Sequence, residues 1–140
     1  MNSQKGLTPS RKSPGWLRLG ALLLGVLLLL WLPVEDTDEV QVLIASAAVS
    51  AWLALRYLVS LPGPDKRLGK HILVGTLAGL AVTPLALFLM AFKTGLHGHD
   101  SPDFTAEQIY FVIYRTPLWG FAGLLLGLGS AMLYLAAPDS

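Results

Sequence analysis

Four long apolar stretches, separated by short polar connections, dominate the pattern of this 140-residue chain. Apolar residues occur all round each stretch when it is drawn as a helix, and none alternates with period two, which argues against strands and against a water-soluble amphipathic bundle. About 20 such residues cross a hydrocarbon layer about 30 Å thick. We therefore predict an all-α integral membrane protein, a bundle of four transmembrane helices. The predicted spans are about 16–34, 40–61, 70–92 and 108–137.

Proline and polar residues mark the ends of these predicted helices. Pro33 and the acidic residues after it end the first helix. Thr105 and Gln108 have the spacing of a capping box at the start of the last one. As a straight helix the last stretch would be about 48 Å long, more than the membrane requires, so we predict a kink near Pro117. Residues 106–116 would then lie at the membrane surface or pack against the bundle or a partner.

The distribution of lysine and arginine predicts the orientation. Seven basic residues lie before or near the start of the first span, or between the second span and the start of the third, against Lys93 alone at the edge of the third connection. Because basic residues concentrate on the cytoplasmic side, we expect both termini to be cytoplasmic and the protein to lie, in a bacterium, in the plasma membrane. Residues 1–15 are expected to form a short disordered basic tail, and residues 16–140 a single transmembrane domain. The seven are Lys5, Arg11, Lys12, Arg18, Lys66, Arg67 and Lys70.

The composition supports a membrane protein and excludes several classes. Hydrophobic residues make up 54% of the chain and charged residues 14%, against about 45–50% and about 25% in soluble domains. A net charge of +1 with no basic face gives nothing to attract nucleic acid. The chain has no cysteine, so disulfides, thiolate metal sites and cysteine nucleophiles are excluded.

Small residues recur at four-residue spacing in every span, which predicts close helix packing. Which of these stripes pair with one another, or with another protein, stays open at this point. The stripes are Ala21 and Gly25; Ser46, Ser50 and Ala54; Gly75 and Gly79; and Gly123, Gly127 and Ala131.

Charged residues within the spans have simple explanations. Arg18 and Arg56 lie close enough to helix ends for their guanidinium groups to reach lipid phosphates. Arg115 is expected to bind a lipid phosphate as well, or to pair with Glu107 or Asp103. Away from the ends no Asp, Glu or His falls in a predicted span, which argues against proton-coupled carriers, intramembrane hydrolases and haem proteins. We therefore expect no catalytic site and no cofactor.

Two features carry alternative functions. Thr83-Pro84 in the third span predicts a bend whose freed carbonyl either lines an ion path or is satisfied by a neighbouring hydroxyl. His97, His99 and Asp100 in the third connection offer two imidazoles and a carboxylate to a metal ion. The same three residues also suit a solvated loop that caps two helices.

The leading hypothesis is a non-enzymatic interaction, accessory or assembly subunit that binds a protein partner or further copies of itself in the membrane. The alternatives are a small oligomeric channel or facilitator, based on Thr83-Pro84 and the glycine-rich third and fourth spans, and a metal-binding outer loop.

Overall fold

Helices account for nearly all of the chain that the computed structural model describes, which comprises residues 14–34, 38–60, 67–97 and 103–136. Five helical segments form, and the last two are parts of one bent helix. No strand occurs within these ranges, so the predicted all-α four-helix bundle is confirmed. The segments are α1 (Gly15–Trp31), α2 (Glu39–Ser60), α3 (Arg67–His97), α4 (Ala106–Tyr114) and α5 (Thr116–Ala136).

Three helices are long and apolar enough to cross a membrane: α2, α3 and the combined α4–α5. Helix α1 is also apolar but has 17 residues, or about 25 Å at 1.5 Å per residue. It ends at Trp31, three residues before the predicted end, because Pro33 cannot continue the hydrogen-bond ladder.

Helix α3 is longer than predicted at both ends, beginning at Arg67 and ending at His97. Its final turns include Lys93, which the sequence pattern had placed at the edge of a loop. Lys93 is 0% exposed and follows the buried Ala86 and Met90 at spacings of four and three residues. These three side chains therefore share one buried face of α3, and the loop-edge prediction was wrong.

The tightest helix contact joins α3 to α5 through their glycines. A methyl group on Gly127 would lie 2.5 Å from the carbonyl oxygen of His71 and 2.9 Å from the Cα of Ile72. Gly75 and Gly123 likewise lie directly against each other's backbone. Such close backbone approach is how helices associate where water exclusion cannot drive them together. The small-residue stripes of the third and fourth spans are thus used inside the chain.

Helix α2 packs on the other side of α3. The Ser50 hydroxyl donates to the carbonyl oxygen of Ala78 at 2.5 Å, and Ser46 donates to its own helix at Val42, 2.7 Å away. Both serines are buried, as their predicted packing role requires. A hydrophobic core lies between α2, α3 and α4, toward the end of the bundle that contains Glu39, called here the Glu39 end; the opposite end is the Lys70 end. The core residues are Val42, Leu43, Val82, Ala86, Met90, Phe104 and Val112.

Helix α1 is the most loosely attached element. Among the described helices its backbone approaches only α2. The space around Gly25 is open, with no atom within 4 Å of a Cβ built there. The Ala21–Gly25 stripe therefore makes no close helix contact within the described chain. Between α1 and α2 lies an apolar groove of about 330 Å³, lined by leucines of α1 and by Ile44, Ala45 and Ala48.

Candidate functional site

A polar cluster joins three helices at the Glu39 end. The indole nitrogen of Trp31, the last residue of α1, donates to the side-chain oxygen of Gln41 on α2 at 2.9 Å. The ammonium group of Lys93 on α3 lies 4.5 Å from the centre of the Trp31 ring. A cation over the face of a tryptophan is attracted by the ring's quadrupole, more strongly where water is excluded. Trp31 therefore ties the end of α1 to both α2 and α3.

A second polar link ties α2 to the start of α4. The Gln108 amide nitrogen donates to the Glu39 carboxylate at 2.9 Å, while the Gln108 amide oxygen accepts from the Thr105 backbone N–H at 2.8 Å. In return the Thr105 hydroxyl accepts from the Gln108 backbone N–H at 3.3 Å. The capping box predicted from the sequence is confirmed. It fixes the start of α4 beside the first turn of α2.

The bend between α4 and α5 falls at Arg115, two residues before Pro117. Because proline has no N–H, the Ile113 carbonyl loses its helical partner, and the Thr116 hydroxyl donates to it instead at 2.6 Å. The Thr83 hydroxyl lies 2.9 Å from the Thr116 hydroxyl. Since Thr116 has given its single proton to Ile113, Thr83 is the donor in this pair. The predicted kink is confirmed, and Thr83 serves the α4–α5 bend rather than the carbonyl freed by Pro84.

This pairing places α4 within the bundle. Thr116 lies at the level of Thr83, and Ile109 borders a cavity with Met90, Ala91 and Thr94. Helix α4 therefore lies alongside the last third of α3, between the level of Thr83 and the Glu39 end. Of the placements that the sequence left open for residues 106–116, namely the membrane surface, the bundle or a partner, the structure has packing against the bundle, with Val112 fully buried.

The outward side of α4 carries a surface of aromatic and charged residues, called here the α4 face. A groove of about 490 Å³ runs along it. Tyr110 is 72% exposed and Tyr114 is 90% exposed. The guanidinium carbon of Arg115 lies 3.8 Å from the centre of the Phe111 ring, one helical turn toward the Glu39 end. The residues of the α4 face are Glu107, Tyr110, Phe111, Ile113, Tyr114 and Arg115.

Arg115 has no carboxylate partner among the residues that the structure describes; its contact there is with Phe111. The predicted pairing with Glu107 or Asp103 is therefore wrong. Glu107 lies eight residues earlier, or about 12 Å along the helix, which is too far for an ion pair. Arg115 is an exposed guanidinium on a surface that is otherwise apolar and aromatic except for Glu107.

The level of Arg115 distinguishes it from the other exposed arginines. The apolar run of α3 extends from Ile72 to Phe92, and Thr83 lies near its middle. Thr116, the residue after Arg115, pairs with Thr83, so Arg115 lies at that level. Arg56 also lies over an aromatic ring four residues earlier, 5.5 Å from the centre of Trp52. However, Ser50 on α2 lies at the level of Ala78 on α3, and α2 runs antiparallel to α3. Arg56, six residues after Ser50, therefore lies at the level of the start of that apolar run.

Sequence reasoning missed the burial of Lys93 and the level of Arg115. The first had a signal, since the spacing from Ala86 through Met90 to Lys93 continues one helical face. The level of Arg115 had no signal in the sequence, because it depends on which residue of α3 contacts Thr116. The proposed metal ligands cannot be placed: His99 and Asp100 lie outside the described residues, as does the side chain of His97. Within the described part of the chain no three His, Asp or Glu side chains come together as a metal site.

Comparison with known proteins leaves these contacts as the basis for assigning a function. No model of a protein family matches the sequence, and no curated protein and no solved structure matches the chain.

Proposed function

We propose that this chain is a multi-pass membrane protein that acts as a non-enzymatic interaction, accessory or assembly subunit. In this proposal the Lys70 end faces the cytoplasm together with both termini, and the Glu39 end faces the opposite side, in a bacterium across the plasma membrane. The excess of lysine and arginine around the Lys70 end supports this orientation.

The observation that carries the proposal is the exposed guanidinium of Arg115 near the middle of the bundle's apolar length. Charged side chains in membrane spans almost always face the bundle interior or a water-filled cavity, and they pair with other polar groups. Arg115 is instead exposed, on a surface with two exposed tyrosines. A second protein seated on the α4 face would return Arg115 to an interior position.

The loose attachment of α1 supports the same proposal. The glycine stripes of α3 and α5 pack on each other, whereas Gly25 on α1 has open space beside it. An apolar groove also lies between α1 and α2. In lipid, small residues that allow close backbone approach favour association with another helix.

The features that suggested a channel have partners inside the chain. Thr83 donates to Thr116, and the glycines of α3 and α5 contact one another's backbone. The Thr83 hydroxyl and these glycines are engaged in packing within the chain, which supports an interaction subunit over a channel.

Purification of the tagged full chain from its native membranes in a mild detergent tests the proposal. We expect light scattering to give a protein mass above the 15.0 kDa of one chain. We also expect mass spectrometry to find a second polypeptide at fixed stoichiometry. Recovery of single chains alone would contradict the proposal. Recovery of several copies of this chain alone, with solute flux in liposomes, would favour the channel.

A further inference from the structure

We infer that the α4 face binds a membrane-spanning helix of a second protein, and that this helix carries a carboxylate at the level of Arg115. The inference rests on the proposed function and adds the chemistry of the partner.

The guanidinium group determines the chemistry of that partner. Arginine stays ionised in proteins and presents its donors in a planar fork that matches a carboxylate. The Phe111 ring, whose centre lies 3.8 Å from the guanidinium carbon, covers one side of this group and leaves N–H groups for an acceptor. Hydrocarbon chains offer no acceptor. A carboxylate from a facing helix would supply two parallel hydrogen bonds.

The shape and composition of the surface fit a helix. The groove of about 490 Å³ runs along α4 from Glu107 to Arg115, eight residues or about 12 Å. Tyrosine and arginine are enriched among the residues that contribute most to protein interfaces, where surrounding contacts exclude water. Tyr110 and Tyr114 line the same groove as Arg115 and are both exposed. Glu107 adds a negative charge at the Glu39 end of the groove, which suits a basic residue near the end of the partner helix.

The level of Arg115 argues against a lipid headgroup as the occupant. Lys93, near the end of the apolar run of α3, lies nine residues beyond Pro84, or about 14 Å along the axis. An arginine side chain that extends along its helix covers only about half of that distance. A phosphate would have to descend into the hydrocarbon to meet it, whereas a carboxylate on a facing helix is delivered at the right level.

A second copy of this chain in the same orientation does not supply the carboxylate. The described acidic residues, Asp38, Glu39, Asp103 and Glu107, all lie toward the Glu39 end. A symmetric pair formed through α4 would bring Arg115 opposite Arg115, and like charges at such a contact repel. The partner is therefore a different protein.

A synthetic membrane-spanning peptide tests this chemistry directly. The peptide is a leucine–alanine helix with one glutamate at its centre, and its matched control has glutamine there. Because the chain has no cysteine, a donor dye placed on Met132→Cys reports binding of an acceptor-labelled peptide by energy transfer in phosphatidylcholine vesicles. Met132 is 61% exposed and lies outside the α4 face.

We expect the full chain to bind the glutamate peptide about tenfold more tightly than the glutamine peptide. Arg115→Gln should abolish this preference, and Arg115→Lys should retain part of it. Arg56→Gln, which removes an exposed arginine that lies over an aromatic ring at the end of the apolar run, should leave the preference unchanged. Equal melting temperatures of the variants would show that each is folded.

Three results would overturn the inference. Equal affinity for the two peptides would do so, and so would a preference that survives Arg115→Gln. The third is a combined result: native mass spectrometry finds a phospholipid bound to the unmodified chain but not to Arg115→Gln, and the two peptides bind with equal affinity. That result would show that Arg115 binds a lipid headgroup. If a partner still co-purifies in any of these cases, the proposed function stands without this surface. If the peptide preference holds but the native chain is isolated alone, the proposed function fails while the chemistry of the α4 face stands.

Discussion

Replacement of Gly123 by alanine tests the packing on which the bundle depends. A Cβ on Gly123 would lie against the carbonyl oxygen of Gly75 and 2.9 Å from both the Cα and the N of Gly79. These are backbone atoms of α3, so no side chain can turn aside to make room. The two helices must separate along the part of their interface that has the closest backbone contacts.

The size of the effect follows from these distances. Restoring an ordinary contact of 3.4 Å requires a shift of about half an ångström from Gly79 and more from Gly75. Gaps of about 0.5–1 Å forfeit a quarter to a half of the dispersion energy of the surrounding contacts. Overpacked sites lose about 1–3 kcal/mol. We expect Gly123→Ala to lower the free energy of unfolding by about 2 kcal/mol, or about 30-fold in the equilibrium constant.

Gly129→Ala is the matched control in the same helix. No atom lies within 4 Å of a Cβ built at Gly129, so alanine there should leave stability unchanged or raise it through its higher helix propensity. The assay is reversible unfolding of the full chain in mixed micelles with increasing sodium dodecyl sulfate, followed by circular dichroism. If Gly123→Ala proves as stable as Gly129→Ala, the close approach of α3 and α5 is wrong.

Three further predictions concern the polar contacts. Thr116→Val should lower the free energy of unfolding by about 1 kcal/mol in the same assay. A double-mutant cycle with Thr83→Val should give a coupling energy of about 0.6 kcal/mol. Additive effects of the two substitutions would contradict the shared hydrogen bond. Lys93→Met should lose the contact with Trp31 but keep most of the packing, whereas Lys93→Ala also leaves a cavity. The loss of unfolding free energy should therefore be smaller for Lys93→Met than for Lys93→Ala. The reverse order would contradict burial of the aliphatic part of Lys93. Thr105→Ala should remove about 1 kcal/mol of helix capping and accelerate hydrogen exchange in the first turn of α4 but not in α5; unchanged exchange would contradict the capping box.

The helices and some of their ends could be predicted because they depend on local chemistry, whereas α3 extends beyond its predicted span at both ends. Apolar runs, Pro33 and the Thr105–Gln108 spacing each act within a few residues, and the structure confirms the bundle, the capping box and the bend before Pro117. Even the burial of Lys93 was accessible, since it continues the face of α3 that contains Met90.

The candidate site could not be predicted because it depends on the register between distant segments. The sequence shows glycine stripes on two spans, but it does not show that Gly123 meets Gly75 or that Thr116 meets Thr83. That register alone determines that Arg115 lies near the middle of α3. Without it, an arginine beside a predicted kink had the simpler interpretation of a lipid anchor.

The glycine contact between α3 and α5 has a consequence for how the protein is made. The surfaces that meet, residues 71–79 and 119–127, are separated by about 40 residues of chain. During synthesis residues 71–79 therefore exist before residues 119–127 do, and the glycine stripe of α3 stays uncovered until α5 has been made. A chain that stops before residue 119 lacks the surface that covers this stripe, so its α3 has lost the closest backbone contacts of the bundle.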